Sequence, residues 1–320
     1  MSARDPDDYV TRAGKRQKNS HGCSGTGGST RSLTHNGYTI AWICPLEVEL
    51  IAALEMLDEP CQSLPQQPSD RNIYTLGSID CKNVVIATLG VPGNNAAAAV
   101  IGQMRMTFPE SALRIFLGDV VVSKPTSTQS GAVQYDHGKI YNGQFERTGA
   151  LSPLPTVLLQ AAQSLATQRA RSRLEKLENI GRVDLTIPAL AKFRYPGNAK
   201  GFLYPPGYLH QQPDAPCYQC GCDSHRRIMS SPDDVATEAG DDEPPRAVVH
   251  WGTIPSGEYV IKEGRLRDRI AAENGILFLE IEAAGSLTDF LCLIIRGISD
   301  WKILSPSISY FSAQNNGTWP

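Results

Sequence analysis

Between Tyr38 and Asp300, apolar positions fall in short runs separated by turn-forming residues, the pattern of an α/β protein. YTIAWIC (38–44) predicts a buried strand. Pro45 then opens a helix, a position where the missing N–H costs nothing, and Leu46, Leu50, Leu54 and Leu57 predict its buried stripe. IYTLGSI and NVVIATL predict two strands joined in a hairpin about Asp80. GVPGNNAAAAVIGQMRMTF predicts a glycine-containing loop, Asn94 as an N-cap, and an alanine-rich helix. A strand is expected from Asp119 to Ser123, then loop and hairpin material, then helix from Ser152 to about Ile180. AVVHWGTIPSG predicts another strand ending at Ser256-Gly257, and EYVIKEGRLRDRIAAENG a turn and helix.

The stretch Ile276–Asp300 organises the rest. ILFLEIE predicts a strand with Glu280 and Glu282 on one face at period two. Ala283, Ala284, Leu287, Phe290 and Leu291 give a short helix one apolar side, and LCLIIRGISD predicts a second strand ending at Asp300. Strand, crossover helix and strand predict a βαβ unit with its two strands parallel in one sheet. Its acids then stand at strand C-termini, where open α/β sheets bind ligands.

Outside this pattern the chain changes character. Residues 1–36 are poor in aliphatics and predict a disordered tail, in which GKRQK reads as a solvated charge run rather than an import signal. A Pro-, Cys- and acid-rich excursion is expected at about 188–247, inside a domain spanning 37–303, with an irregular tail at 304–320. Cys217, Cys220 and Cys222, with His210 and His225 nearby, resemble part of a zinc set but lack a second paired ligand set, so loop thiols are the preferred reading. Lys192, Arg194 and Lys200 read as surface charge that could also meet a phosphate chain.

Composition narrows the classes. The 320 residues carry 41% apolar and 20% charged side chains and a net charge of −3, which gives no reason to expect nucleic acid or an anionic membrane as partner. No run reaches the ~20 apolar residues of a membrane helix. The N-terminus lacks a secretory core, so the eight cysteines are expected as reduced thiols in a cytoplasmic protein. Glu47 and Glu49 lie in a first helical turn, where negative charge suits the dipole. That suffices for Glu47; Glu49, just past a strand-to-helix turn, could equally face the crevice of Asp300. Gly90 and Gly93 before a helix are a weak anion signal.

Several blocks together resemble the purine nucleoside phosphorylase/uridine phosphorylase-like superfamily, and best the nucleoside-phosphorylase-like domains of fungal immune-receptor-like proteins. They are YTIAWICPLEVELIAALEMLDE, NIYTLGSIDCKNVVIATL, LGDVVVSKP, VQYDHGKIYNGQFERTGAL, the YPG at Tyr195, VVHWGTIPSGEYVIKEG, FLEIEAAG and RGISD. The resemblance implies a three-layer α/β/α phosphorylase/hydrolase-like domain with a mixed, twisted sheet, assembled as a homo-oligomer. Two departures stand out: only ESALRIF lies between MTFP and LGDVVVS, and the segment after Asp300 is unlike relatives. One central strand and the C-terminal helix are therefore expected to be missing.

The resemblance also implies roles. Asp300 would protonate the leaving purine with Ser299 as its hydrogen-bonding helper, and Glu282 would accept from ribose hydroxyls with Glu280 close by. Glu49 would position water, and the backbone at Tyr259 and Val260 would contact the base. These roles suit N-glycosidic cleavage, which builds positive charge on the sugar and negative charge on the base. A retaining-glycosidase pair ranks below, because the motifs around the acids are not those of a sugar hydrolase. Hydrolysis is preferred over phosphorolysis, with no cofactor, and phosphate as co-substrate only in the second case. The alternative is a catalytically impaired ligand-sensing or interaction domain derived from such an enzyme.

Overall fold

The apolar run after Tyr38 forms β1 (Ile40–Cys44), and the chain turns through Pro45-Leu46 into α1 (Glu47–Met56). The computed structural model describes residues 33–111, 119–126, 129–171, 182–191, 204–209, 212, 221–226, 249–261, 263–274, 279–287 and 292–298. A two-residue β2 (Glu59–Pro60) precedes β3 (Tyr74–Ile79) and β4 (Lys82–Thr88). Asp80 and Cys81, with φ of 46° and 60°, make the two-residue turn of a hairpin whose left-handed pair matches strand twist. The four strands form one sheet in the order β1-β4-β3-β2, with β1 parallel to β4 and the rest antiparallel.

Side-chain alternation covers both faces of this sheet. Ala41, Ile43, Val85 and Ala87 point to the larger core, where Ala97, Ile101 and Met104 of α2 (Asn94–Thr107) meet them. Trp42, Cys44, Val84 and Ile86 point the other way, onto Ala53 and Met56 of α1. Helix, sheet and helix are thus layered as an α/β protein requires. Burying Ile43 and Ile86, each 1% exposed, contributes about 1.5–3 kcal/mol apiece. Leu46, expected to begin the α1 stripe, is 41% exposed because it caps the helix from outside; Leu50, Leu54 and Leu57 pack only partly.

The second half of the chain builds smaller sheets. β5 (Asp119–Ser123) is followed by β6 (Ala132–Gln134), the exposed hairpin β7 (Gly138–Tyr141) and β8 (Gln144–Arg147), and α3 (Thr156–Ala170). After the short α4 (Pro188–Ala191), the strand expected over AVVHWGTIPSG breaks at Thr253 into β9 (Val249–Gly252) and β10 (Ile254–Ser256). β9 pairs parallel with β5, and β10 parallel with β6. α5 (Gly264–Asn274) then leads towards α6 (Ala283–Leu287) and β11 (Ile295–Ile298).

The βαβ expectation is corrected here. Glu280 makes a single parallel bridge with Ser256, whereas β11 pairs antiparallel with β5. Ser123 fixes the alternative: its N–H donates to Ile294 O at 2.8 Å, and its hydroxyl accepts the Ile294 N–H at 2.9 Å.

Other expectations meet the structure unevenly. Leu33 packs on the larger core and His35–Gly37 forms a 3-10 turn across the expected boundary between tail and domain. Cys81 is disulfide-bonded, so the expectation of reduced thiols fails there; Cys44, Cys61, Cys222 and Cys292 are thiols. Most of the interval in which a central strand is expected to be missing, the tail after Asp300, most of the excursion, and Cys217, Cys220 and His210 lie outside the described residues. Among those described, no helix is long and apolar enough to cross a membrane, and no group of three metal-ligating side chains gathers.

Candidate functional site

Three segments, the first of them more than two hundred residues from the other two, bring charge to one place. α1 begins directly after β1, which puts Glu49 in its first turn. One Glu49 oxygen, Oε2, accepts the Leu46 N–H at 2.9 Å and caps the helix; the other, Oε1, lies 3.9 Å from Arg296 Nη1. The capping reading of this residue is met by the first oxygen, while Asp300, whose crevice the second reading invokes, lies outside the described residues. From the residue before α6, Glu282 reaches the same nitrogen at 2.9 Å through Oε2, an ion pair off the line of a hydrogen bond. Glu282 is 2% exposed, so this charge depends on its partner.

Glu280 is buried beside them but faces differently. Its carboxylate accepts the N–H of Glu282 at 2.8 Å and of Ala283 at 2.8 and 3.0 Å, so it holds the start of α6 instead of lining a face with Glu282. Burial pushes its carboxyl above the usual carboxylate range against the opposing Arg296 guanidinium, and the neighbouring Glu282 charge adds to the rise. The folded chain therefore binds this proton more tightly than the unfolded one. Stability from Glu280 is present below the ordinary carboxylate range and is lost as pH rises through the raised folded value. Glu280→Gln should flatten the decline of the urea midpoint with rising pH in that window; an unchanged slope would place the dependence elsewhere.

The structure places two of the remaining candidate residues. Tyr259 and Val260 follow β10 on an exposed strap, and Tyr259 O accepts the Tyr135 hydroxyl at 3.1 Å. Burial and the nearby Asp136, Glu280 and Glu258 charges push Tyr135 up to about 12, so it stays an O–H donor. Ser299 and Asp300 lie outside the described residues, just beyond the strand that carries Arg296.

Sequence reasoning missed three contributors. Arg296 is given no role by the apolar pattern, although a lone charge on a core strand is the same signal that singles out Asp300. Ser256 was read as a strand end. Asn94 was expected to cap its own helix, but Gly93 holds that position at φ 126°. The Asn94 amide instead turns inward, accepting from Ser256 Oγ at 3.0 Å and Gly285 N–H at 2.9 Å and donating to Gly257 O at 3.0 Å.

The fold and cluster define a mixed α/β protein in which one buried and one half-buried carboxylate gather on one guanidinium. By sequence the chain is similar to a protein of the fungus Hyaloscypha variabilis described as a nucleotide-binding leucine-rich repeat (NLR)-like protein, at 32% identity over 286 residues. The match takes in 84% of this chain and 27% of that protein, so the chain spans about a quarter of the relative's length. No family model matches.

Among solved structures, the chain overlaps the 5'-methylthioadenosine/S-adenosylhomocysteine nucleosidase of Neisseria meningitidis at 16% identity and a TM-score of 0.46, covering 86% of this chain and 91% of that one. A putative nucleosidase of the same description from Francisella philomiragia overlaps at 14% identity and 0.47, over 86% and 91%. A futalosine hydrolase mutant of Helicobacter pylori overlaps at 12% and 0.42, over 86% and 92%. These overlaps are loose, and the architecture stands on the strands and helices themselves.

Proposed function

We propose that the chain binds a purine nucleoside or nucleotide and cleaves its N-glycosidic bond, with water preferred over phosphate as nucleophile. One observation carries the reading: Glu49 and Glu282, given the water and ribose roles on resemblance, converge on Arg296 in a mostly buried cluster. Glu282 would accept from ribose hydroxyls and stabilise positive charge on the sugar. Glu49 would orient water, with the guanidinium holding the two carboxylates in place. Asp300, four residues after Arg296, would donate a proton to the leaving base, helped by Ser299, while the Tyr259–Val260 backbone would contact the base. No cofactor enters this scheme, and a phosphate co-substrate enters only if the reaction is a phosphorolysis.

The test is purine release from adenosine, inosine, AMP and ATP, with and without phosphate. Release is expected, and Asp300→Asn should abolish it. A folded chain that releases no base from any of the four would sink the enzymatic reading, and full turnover in Asp300→Asn would refute the acid assignment.

A second reading is a ligand-sensing domain without turnover. It is favoured by the NLR-like relative, of which this chain matches about a quarter. A melting temperature raised by nucleosides or nucleotides without base release would support it.

A further inference from the structure

The N–H groups that open a helix have no partner within it. At α6, four in succession are taken by side chains from three places in the chain. Glu280 accepts from Glu282 and Ala283, Ser256 Oγ accepts from Ala284 at 2.9 Å, and Asn94 Oδ1 accepts from Gly285 at 2.9 Å. Ser256 in turn donates to Asn94 Oδ1 at 3.0 Å, and Asn94 Nδ2 donates to the Gly257 carbonyl at 3.0 Å. Asn94, Ser256 and Glu280 are all buried. The close approach is exacting: a Cβ on Gly285 would stand 1.9 Å from Asn94 O.

We propose that Asn94 and Ser256 are positioning residues, which fix the start of α6 and so the point from which Glu282 meets Arg296. The inference rests on the reading that Glu282 serves a bound ribose, and adds residues to which no role had been given. Asn94 spends its amide on β10, Gly257 and α6 and none of it on its own helix, whose cap is Gly93. Its side chain therefore does not cap α2 and instead ties the first residue of that helix to β10, Gly257 and α6. Glu282 immediately precedes that helix, so a slip of α6 along α2 carries its carboxylate away from Arg296 and the sugar.

The experiment is amide hydrogen exchange of the full chain, with base release measured alongside, for Asn94→Ala, Asn94→Asp and Ser256→Ala. Asn94→Ala should speed exchange at Ala284 and Gly285 about tenfold or more while β3 and β4 keep their protection, the mark of local opening. Base release should fall about a hundredfold in kcat with KM little changed, the cost of a carboxylate misplaced by ~1 Å. Asn94→Asp keeps the oxygen that accepts from Ser256 and Gly285, and should restore slow exchange at Gly285. If Asn94→Ala does not fold, Ser256→Ala carries the same readouts at Ala284.

Unchanged exchange at 284–285, or equal acceleration in β3 and β4, overturns the proposal. So does wild-type kcat in a chain whose α6 has loosened. If the unaltered chain releases no base, the nucleosidase reading fails on its own account. Exchange alone then decides whether Asn94 and Ser256 position α6.

Discussion

Arg296→Met is expected to lower the stability of the chain by about 3–5 kcal/mol, read as the urea midpoint at neutral pH. Methionine approximates the aliphatic stem of the side chain and its apolar packing on β11. It removes the cation 2.9 Å from Glu282, a carboxylate only 2% exposed, and leaves that charge buried without its partner. The cost comes from the orphaned acid more than from the lost pair, because a buried ion pair and an apolar replacement of like volume are often close in energy. The double variant Arg296→Met with Glu282→Gln should therefore recover much of the loss. A single variant that loses under about 1 kcal/mol would mean that Glu282 behaves as a surface acid, for which pairing matters little.

Gly285→Ala should cost about 3 kcal/mol, at the upper end of overpacking effects. The added carbon would stand 1.9 Å from Asn94 O, 2.6 Å from its carbonyl carbon and 2.9 Å from its Cα. These are backbone atoms at the start of α2 and cannot rotate aside, so α6 must back away and take Glu282 with it. Gly102→Ala is the matched control: it lies within α2 with nothing within 4 Å of the new Cβ, and should gain up to about 1 kcal/mol from helix propensity. Calorimetric melting of the pair separates the two. A Gly285→Ala chain as stable as wild type would mean that α6 packs less closely on α2 than described.

The sheet of β1, β3 and β4 was legible because its residues obey local rules. Val84, Val85, Ile86 and Ala87 form an unbroken apolar run, as expected for a strand covered on both faces. Asp80-Cys81 closes the hairpin by turn geometry alone. The region after Gly257 was less legible. Two apolar runs about a short helix predict parallel neighbours, yet nothing in β11 itself states that β5 will take it antiparallel. That choice is made by Ser123, whose backbone and hydroxyl both bind Ile294.

The same holds for the candidate site. The carboxylates were found because acids on apolar strands are costly and so conspicuous. The group that gathers two of them, Arg296, and the amide that seats their helix, Asn94, could be recognised only in three dimensions. Asn94 is instructive because its position before an alanine-rich helix satisfies the capping rule by sequence, and the partners that win its side chain lie at 256, 257 and 285.

The place of β5 in its sheet bears on how the chain reaches this structure during synthesis. The unit of β1, α1, β3, β4 and α2 is complete within the first third of the chain, and its pairings close early. β5 is the central strand of its sheet, and both of its neighbours, β9 and β11, are made long after it. Until the intervening segment has left the ribosome, Val121 and Val122 sit on a strand with two open edges, the form most ready to pair with another copy. Closing so long a loop delays folding more than it weakens the finished sheet, because loop entropy grows only slowly with length. A nascent chain stopped before Val249 would carry the early sheet intact and an unprotected β5 behind it.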